Sequence, residues 1–413
     1  MSLRILHTSD WHLGATLEGE SREKEHRVFL DWLLVTLEEK KVDLLIVAGD
    51  IFQYTQPSSE AQKIYYRFLA EVGVKTQVGQ VIVVGGNHDS ASRLDAPAEI
   101  LDALKVHVVG GYHLSQPLEN YLCPIKNKEG FLQAVVVTLP FIHEFRLGVR
   151  TTERQKEEIA AEFRQLFTNL YSRLADLANK IYPQVPLIAT GHLTCMGVAK
   201  EEVGTEIHHA GTIGGLPCEI FDNRYHYIAL GHIHRTRQIG SRNIWYSGSP
   251  IALNIGEATY AKNVILIDIE GDQVKTSILP IPCWRQLLLI KGEIEEICKQ
   301  LKSLSWSEPF PPYLYIEIMV EHYDSHLYAD LQKCLEQFST EQRPLIVNVK
   351  QSYSCTANDR EGASSELTDK SLLDLTPQQV FLRLYETKYQ KSPSEDLLIA
   401  FNTVLGSLDK DQL

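Results

Sequence analysis

No Cys-x-x-Cys pair occurs in this chain. Its seven cysteines (Cys123, Cys195, Cys218, Cys283, Cys298, Cys334 and Cys355) are scattered and odd in number. That argues against a disulfide framework or a zinc–thiolate site and leaves reduced, mostly buried thiols. No apolar run approaches the length that crosses a bilayer, and the N-terminus carries no signal-peptide pattern. A cytoplasmic location without membrane attachment is therefore expected. Basic excess is missing too. The formal net charge of −13 excludes a uniformly basic nucleic-acid coat, but not a local basic groove or one assisted by bound metals. No internal repeat or low-complexity tract occurs. With 413 residues, 44% apolar and 23% charged, the chain has an ordinary globular composition and room for two or three domains.

What is present is a series of five short polar clusters, each behind an apolar run. Asp10-Trp11-His12 follows residues 3–6, Gly49-Asp50 follows 42–47, and Gly86-Asn87-His88-Asp89 follows 81–84. Gly191-His192 follows 187–189, and Gly231-His232-Ile233-His234 follows 227–230. Short Val/Ile/Leu runs bounded by glycine predict buried strands. In open α/β sheets ligands gather at the carboxyl ends of strands, so distant clusters can converge there. Asp, Asn and His in this combination form the ligand set of a two-metal phosphoesterase centre. A pair of divalent ions can polarise a phosphate and generate hydroxide at neutral pH.

Each residue has an expected part. Asp10 and His12 stand two apart on an extended segment, where side chains share a face and can reach one ion. Asp50 has two oxygens and is the natural bridge. Asn87 offers a neutral carbonyl oxygen, and His192, His232 and His234 offer imidazole nitrogens. His232 and His234 again differ by two and can point to the same side. Nitrogen and oxygen ligands without thiolate suit manganese, iron, zinc or magnesium. The glycines beside the ligands let the backbone turn sharply and let phosphate approach. His88 can protonate the leaving oxygen of a phosphodiester, with Asp89 orienting its ring and holding it cationic.

Between the clusters lie amphipathic stripes that read as core-packing helices: Val28, Phe29, Trp32, Leu33 and Leu37, then Ile159, Phe163, Leu166, Leu170, Leu174 and Leu177. A boundary near residues 280–282 separates an expected domain 1–280 from a small α/β module at 281–353. Within the module, strands are expected at 286–290, 313–320 and 345–349, with helices between. A polar linker follows at 354–370. Thr376-Pro377-Gln378-Gln379 and Ser392-Pro393-Ser394-Glu395 then open two short helices in a region 371–413. Helices this short cannot stand alone, so they pack back on the body or dock on a partner.

The order D-x-H, GD, GNHD, GH, GHxH resembles the signature of the calcineurin-like metallophosphoesterases. Within that superfamily the chain is most similar to the nuclease subunits of bacterial double-strand-break repair complexes. The narrower likeness is carried by Ile5-Leu6-His7-Thr8-Ser9-Asp10-Trp11-His12-Leu13-Gly14, by Ser21-Arg22-Glu23 with Glu25-His26, and by Phe29-Leu30-Asp31-Trp32-Leu33. It continues in Gly191-His192-Leu193-Thr194, in Tyr227-Ile228-Ala229-Leu230 up to Arg235, and in Tyr246-Ser247-Gly248-Ser249-Pro250. It covers roughly the first two-thirds of the chain strongly, while the last third fits in layout more than in wording.

The resemblance implies an α/β (α+β) fold: a four-layer αββα sandwich with a small α/β cap facing DNA. It also implies C-terminal helices that bind the coiled-coil base of an SMC-type ATPase, in a heterotetramer containing a dimer of this chain. It implies manganese-dependent 3'-5' exonuclease action on duplex DNA and endonuclease action on hairpins, in repair, recombination and replication. By matching position, Asp10, His12, Asp50 and His234 would hold one ion, and Asp50, Asn87, His192 and His232 the other, with His88 as the acid. Where some relatives carry histidine three residues after the bridging aspartate, this chain has Gln53, which removes a proton-transfer role there and asks more of His88. Arg235, Arg237 and Arg150, with Arg146 and Arg242, lie near the motif loops and are candidates for DNA phosphates. Trp11, between two ligands, is expected in the core rather than stacked on a base.

Two rival functions fit the same motifs less well. A protein phosphatase would usually carry Glu where Asp89 stands, and small cyclic-nucleotide phosphodiesterases are commonly shorter and lack the cap-like module and tail helices. A non-catalytic scaffold would tend to have lost ligands, and here every expected one is present.

Overall fold

A computed structural model of the chain describes residues 2–149, 154–195, 215–320 and 326–353, and isolated positions from 381 to 401. Arg150, Cys355, the expected linker 354–370 and the start signal at Thr376 lie outside the described residues. The chain divides into two compact units, Met1–Ile318 with Ser325–Lys350, and Met319–Asp324 with Gln351–Leu413.

The first unit is built on two six-stranded sheets. In one, the strand order is Gln273–Pro280, Asn263–Glu270, Ser2–Thr8, Leu44–Ala48, Gln80–Val84, Val106–Val109. The last four run parallel, and Asn263–Glu270 lies antiparallel to Ser2–Thr8. In the other, the order is Arg237–Gln238, Ile244–Tyr246, Tyr225–Gly231, Leu187–His192, Leu132–Val137, Leu122–Lys126.

The near-continuous apolar runs arise because central strands are covered on both faces. Alternate residues take opposite faces. Leu3, Ile5, Leu44, Ile46, Ile82 and Val84 share a core with Val135, Val137, Ala189 and Ile228 of the second sheet. Their neighbours Leu6, Leu45, Val47, Val81 and Val83 pack instead with Phe29, Leu33 and Leu37 of helix Glu23–Glu39 and with Phe68 of helix Ser59–Lys75. Helix Lys156–Ile181 covers the second sheet with Phe163, Phe167, Leu170 and Leu174. The result is the expected helix–sheet–sheet–helix order. On helix Glu23–Glu39 the buried face includes Leu30 and Leu34, while Val28 and Trp32 are only half-buried. The apolar stripe is therefore wider than a heptad-like reading suggests.

Beyond residue 286 a three-stranded sheet forms in the order Leu287–Gly292, Tyr313–Val320, Leu345–Tyr353. Leu287 pairs with Tyr313 in parallel register, and helix Ile294–Lys302 connects the two strands. In the second unit Phe381 stacks on Phe401 with ring centroids 4.1 Å apart, and the Leu398 amide donates to the Ser394 carbonyl at 3.1 Å, one helical turn earlier. Among the described residues no helix is long and apolar enough to cross a membrane.

Candidate metal centre

All five clusters lie at or just beyond the carboxyl ends of strands, Asp10 after Ser2–Thr8, Asp50 after Leu44–Ala48, Asn87 after Gln80–Val84. His192 closes Leu187–His192, and His232 follows Tyr225–Gly231. The first three belong to one sheet and the last two to the other. Stacking the sheets brings them together.

Three groups of potential ligand atoms result, each with its atoms within 4.8 Å of one another: Asp10, His12 and His234; Asp50, His192 and His232; and His12, Asp50 and His88. Asn87 joins the second group, its Oδ1 lying 3.0 Å from His192 Nε2 and 3.0 Å from His232 Nδ1. His12 Nε2 and His234 Nε2 face each other at 3.2 Å. Metal–ligand bonds of about 2.1 Å place neighbouring ligand atoms about 3.0 Å apart in an octahedron and about 3.4 Å apart in a tetrahedron. The observed separations match such edges.

The donor chemistry points the same way. His192 Nδ1 lies 2.9 Å from the Ala48 carbonyl, which can only accept, so Nδ1 carries the proton. Nε2 then meets two more acceptors, Asn87 Oδ1 and Asp50 Oδ2 at 3.0 and 3.2 Å. Acceptors converging on an acceptor need a cation among them, a proton or a metal. His234 is tied by Nδ1 to Glu257 Oε1 at 2.9 Å, which likewise leaves Nε2 for the centre.

Asp50 faces both ligand sets through one atom. Its Oδ2 lies 3.6 Å from His12 Nε2 and 3.2 Å from His192 Nε2, while Oδ1 accepts from the His88 amide at 2.9 Å. Burial works against charge on Asp50, but the nearby histidines, His192 above all, outweigh it and hold the carboxyl well below its usual range. His192 is opposed by burial in the same way and is held up at about 9, chiefly by Asp50. Burial dominates at Asp10 and raises it, against the pull of His192 and His234.

The backbone here departs from the sequence reading. Asp10 (φ 52°), His12 (φ 48°), Asp50 (φ 50°) and His232 (φ 96°) adopt left-handed conformations, each costing on the order of 1–2 kcal/mol for a non-glycine residue. The 10–12 segment is therefore no extended strand with i and i+2 on one face. It is held by pairing with the next loop, the Asp10 and His12 amides donating to the carbonyls of Gly49 and Asp50 at 2.9 and 3.0 Å. Asp10 and His12 still meet in one group as expected, whereas His232 and His234 part, His234 joining Asp10 and His12 while His232 joins Asp50 and His192.

Gly49, at φ 92°, makes the sharp turn expected of it, and the glycines serve a further purpose. A Cβ on Gly86 would lie 2.1 Å from Asp50 Oδ1, and one on Gly49 2.2 Å from His192 Nδ1. They make room for one another's ligands.

Asp89 does not orient His88 as expected. Its carboxylate accepts from the amides of Ile51 (3.0 Å), Phe52 (2.9 Å) and Gly86 (2.8 Å), tying two ligand loops together. His88 Nδ1 is bonded instead to the main-chain carbonyl of Gln53 at 2.9 Å, and its ring meets that of His12 edge-on. Position 53 therefore steers His88 through its backbone, whatever its side chain.

Among the arginines, Arg235 is exposed, with its guanidinium 4.7 Å from the centre of the Tyr260 ring. Arg237 is half-buried on a short strand and paired with Tyr246. Arg146 is exposed and lies against Phe145 and His113. Arg242 is committed to the carbonyls of Phe221 and Asp222 at 2.9 and 2.8 Å, which removes it from the DNA candidates. Trp11 is fully buried against Phe29 and Phe68. Arg22 and Glu25 are buried and structural. Glu25 accepts from Arg22 and Arg285, both at 2.8 Å.

Sequence reading missed Glu257 and Lys262. Burial works against charge on Glu257, yet His234 and Lys262 hold its carboxyl below the usual range. Neither residue sits in a recognisable motif, and only its place behind His234 marks Glu257.

Fold and site together define a metallophosphoesterase, and the family model for the calcineurin-like phosphoesterases matches residues 3–236. A second model, described as the type 5 capsule protein repressor C-terminal domain, matches residues 283–389. The SbcD component of nuclease SbcCD from Escherichia coli K12 is 33% identical, covering 98% of both chains. Its counterpart from Rhodobacter capsulatus is 35% identical over 81% of this chain and 84% of its own, and that from Bacillus subtilis 28% identical over 87% and 88%. The chain belongs to the SbcD family of calcineurin-like phosphoesterases.

Proposed function

We propose that this chain hydrolyses DNA phosphodiesters as the nuclease component of an SbcCD-type complex, using two divalent ions, manganese foremost. The convergence of Asp10, His12 and His234 on one side of Asp50 Oδ2, and of Asn87, His192 and His232 on the other, carries this reading. Asp10, His12, Asp50 and His234 would hold one ion, and Asp50, Asn87, His192 and His232 the second. When bound, the ions supply charge to the phosphoryl oxygens and lower the pKa of water.

The chain's own groups do the rest. His88, its Nδ1 held 2.9 Å from the Gln53 carbonyl, is assigned to protonate the departing sugar oxygen. A water gives one proton to solvent and adds its oxygen to phosphorus, the phosphorus–sugar oxygen bond breaks, that oxygen takes the proton from His88, and solvent returns a proton to His88. Asp89 holds the loops that carry Asp50 and His88. Arg235, Arg237 and Arg150 are assigned to phosphates flanking the cut.

Region 1–280 is the nuclease body, 281–353 a cap facing DNA, 354–370 a linker, and 371–413 helices for an SbcC-like SMC-type ATPase. The complex is read as a heterotetramer built on a dimer of this chain, working in the cytoplasm on duplex ends, in the 3'-5' direction, and on hairpins. The full chain purified with its ATPase partner should degrade linear duplex DNA and open hairpins with manganese. It should leave phosphopeptides and cyclic nucleotides nearly untouched. Faster turnover of either small substrate than of DNA would replace the nuclease reading.

A further inference from the structure

His234 is held from behind more elaborately than His192. Its Nδ1 donates to Glu257 Oε1 at 2.9 Å. The other oxygen of Glu257 accepts from Lys262 Nζ at 2.6 Å and from Ser249 Oγ at 3.1 Å. Lys262 also donates to Ser249 Oγ at 2.8 Å and to the main-chain carbonyl of His234 at 3.3 Å. One buried ion pair thus fixes both the ring and the backbone of a single ligand. His192, by contrast, has only the neutral Ala48 carbonyl at its Nδ1. A carboxylate behind an imidazole fixes its tautomer and makes it a stronger donor to metal than a carbonyl does.

We propose that Glu257, braced by Lys262, is a positioning residue that selectively strengthens the ion held by Asp10, His12 and His234, so that the two ions bind with unequal affinity. This rests on the two-ion reading above. Glu257 also accepts from Asn254 Nδ2 at 2.9 Å and from the Leu253 amide at 3.3 Å, so a purely structural role in its own loop is the competing account.

The test uses the full chain titrated with manganese, followed by calorimetry and by electron paramagnetic resonance, which separates isolated from spin-coupled Mn2+. Wild type should bind two ions and develop the coupled signal. Glu257→Gln keeps the shape and removes the charge. It should bind one ion about 10–100-fold more weakly, leave the other unchanged, and show the isolated signal at manganese levels that fill both sites in wild type. Equal weakening of both ions, or none, overturns the proposal. If Glu257→Gln fails to fold, Lys262→Met is read by the same criteria. A wild type that binds only one ion sinks the two-ion reading itself, whereas two tight ions in both variants sink only the role of Glu257.

Discussion

Nε2 of His192 lies 3.2 Å from Oδ2 of Asp50, the two residues arriving from different sheets. Burial opposes charge on both, yet each holds the other ionised, and the imidazole is pushed up to about 9. An unfolded histidine titrates near 6.5. Between about 6.5 and 9 His192 in the metal-free folded chain therefore holds more proton than it does unfolded, and its contribution to stability is lost as pH rises through that window. We expect the Tm of chelated protein to drop across this range and the drop to shrink in Asp50→Asn. Manganese must displace the ring proton, so calorimetry in two buffers of different ionisation enthalpy should detect proton release on binding at neutral pH. A flat Tm profile with no proton release would remove the ion pair from the resting state.

His88→Ala should lower the rate of DNA hydrolysis by about 10²–10⁴-fold, the usual range for a lost general acid. Both manganese ions should remain, as counted by elemental analysis. Undiminished cutting would cancel the acid assignment, and loss of an ion would move His88 among the ligands.

Gly86→Ala puts a methyl group 2.1 Å from Asp50 Oδ1 and 2.3 Å from the Asp50 amide. Backbone must shift, at a cost of about 1–3 kcal/mol, and manganese affinity should fall with it. Gly73 lies inside helix Ser59–Lys75 with nothing within 4 Å of its would-be Cβ. Gly73→Ala should stabilise the protein by about 0.5–1 kcal/mol, with metal binding unchanged. Urea midpoints and manganese titrations of the two variants check both statements.

Asp89→Ala strands three buried amides that now share one carboxylate. Each unsatisfied donor costs about 1–3 kcal/mol, so the loss should exceed that of a surface substitution several-fold. Denaturant unfolding of chelated protein isolates this from metal effects. A change below about 1 kcal/mol would mean that the amides find other partners.

Truncation before Thr376 should abolish association with the ATPase partner while Tm stays within a few degrees of the full chain. Size-exclusion chromatography of the mixed proteins reads this directly, and an intact complex would place the docking surface elsewhere.

Much of this molecule was legible along the chain. The apolar runs before Asp10, Asp50, Asn87, His192 and His232 are strands because Val, Ile and Leu covered on both faces leave little alternative. The ligand residue types already specified nitrogen and oxygen coordination. These are local properties, written in side-chain chemistry and period. What the chain could not state is how its segments meet. Left-handed Asp10 and His12 are stabilised by carbonyls of the 49–50 loop, not by their own neighbours. The orientation of His88 comes from a main-chain carbonyl at Gln53, and Asp89 was free to do other work. The family resemblance, not local pattern, assigns each histidine to its ligand group; that grouping, the oxygen of Asp50 that faces both groups and the presence of Glu257 behind His234 depend on how two sheets stack. That stacking is set by burial summed over dozens of side chains, none of which carries the metal chemistry itself.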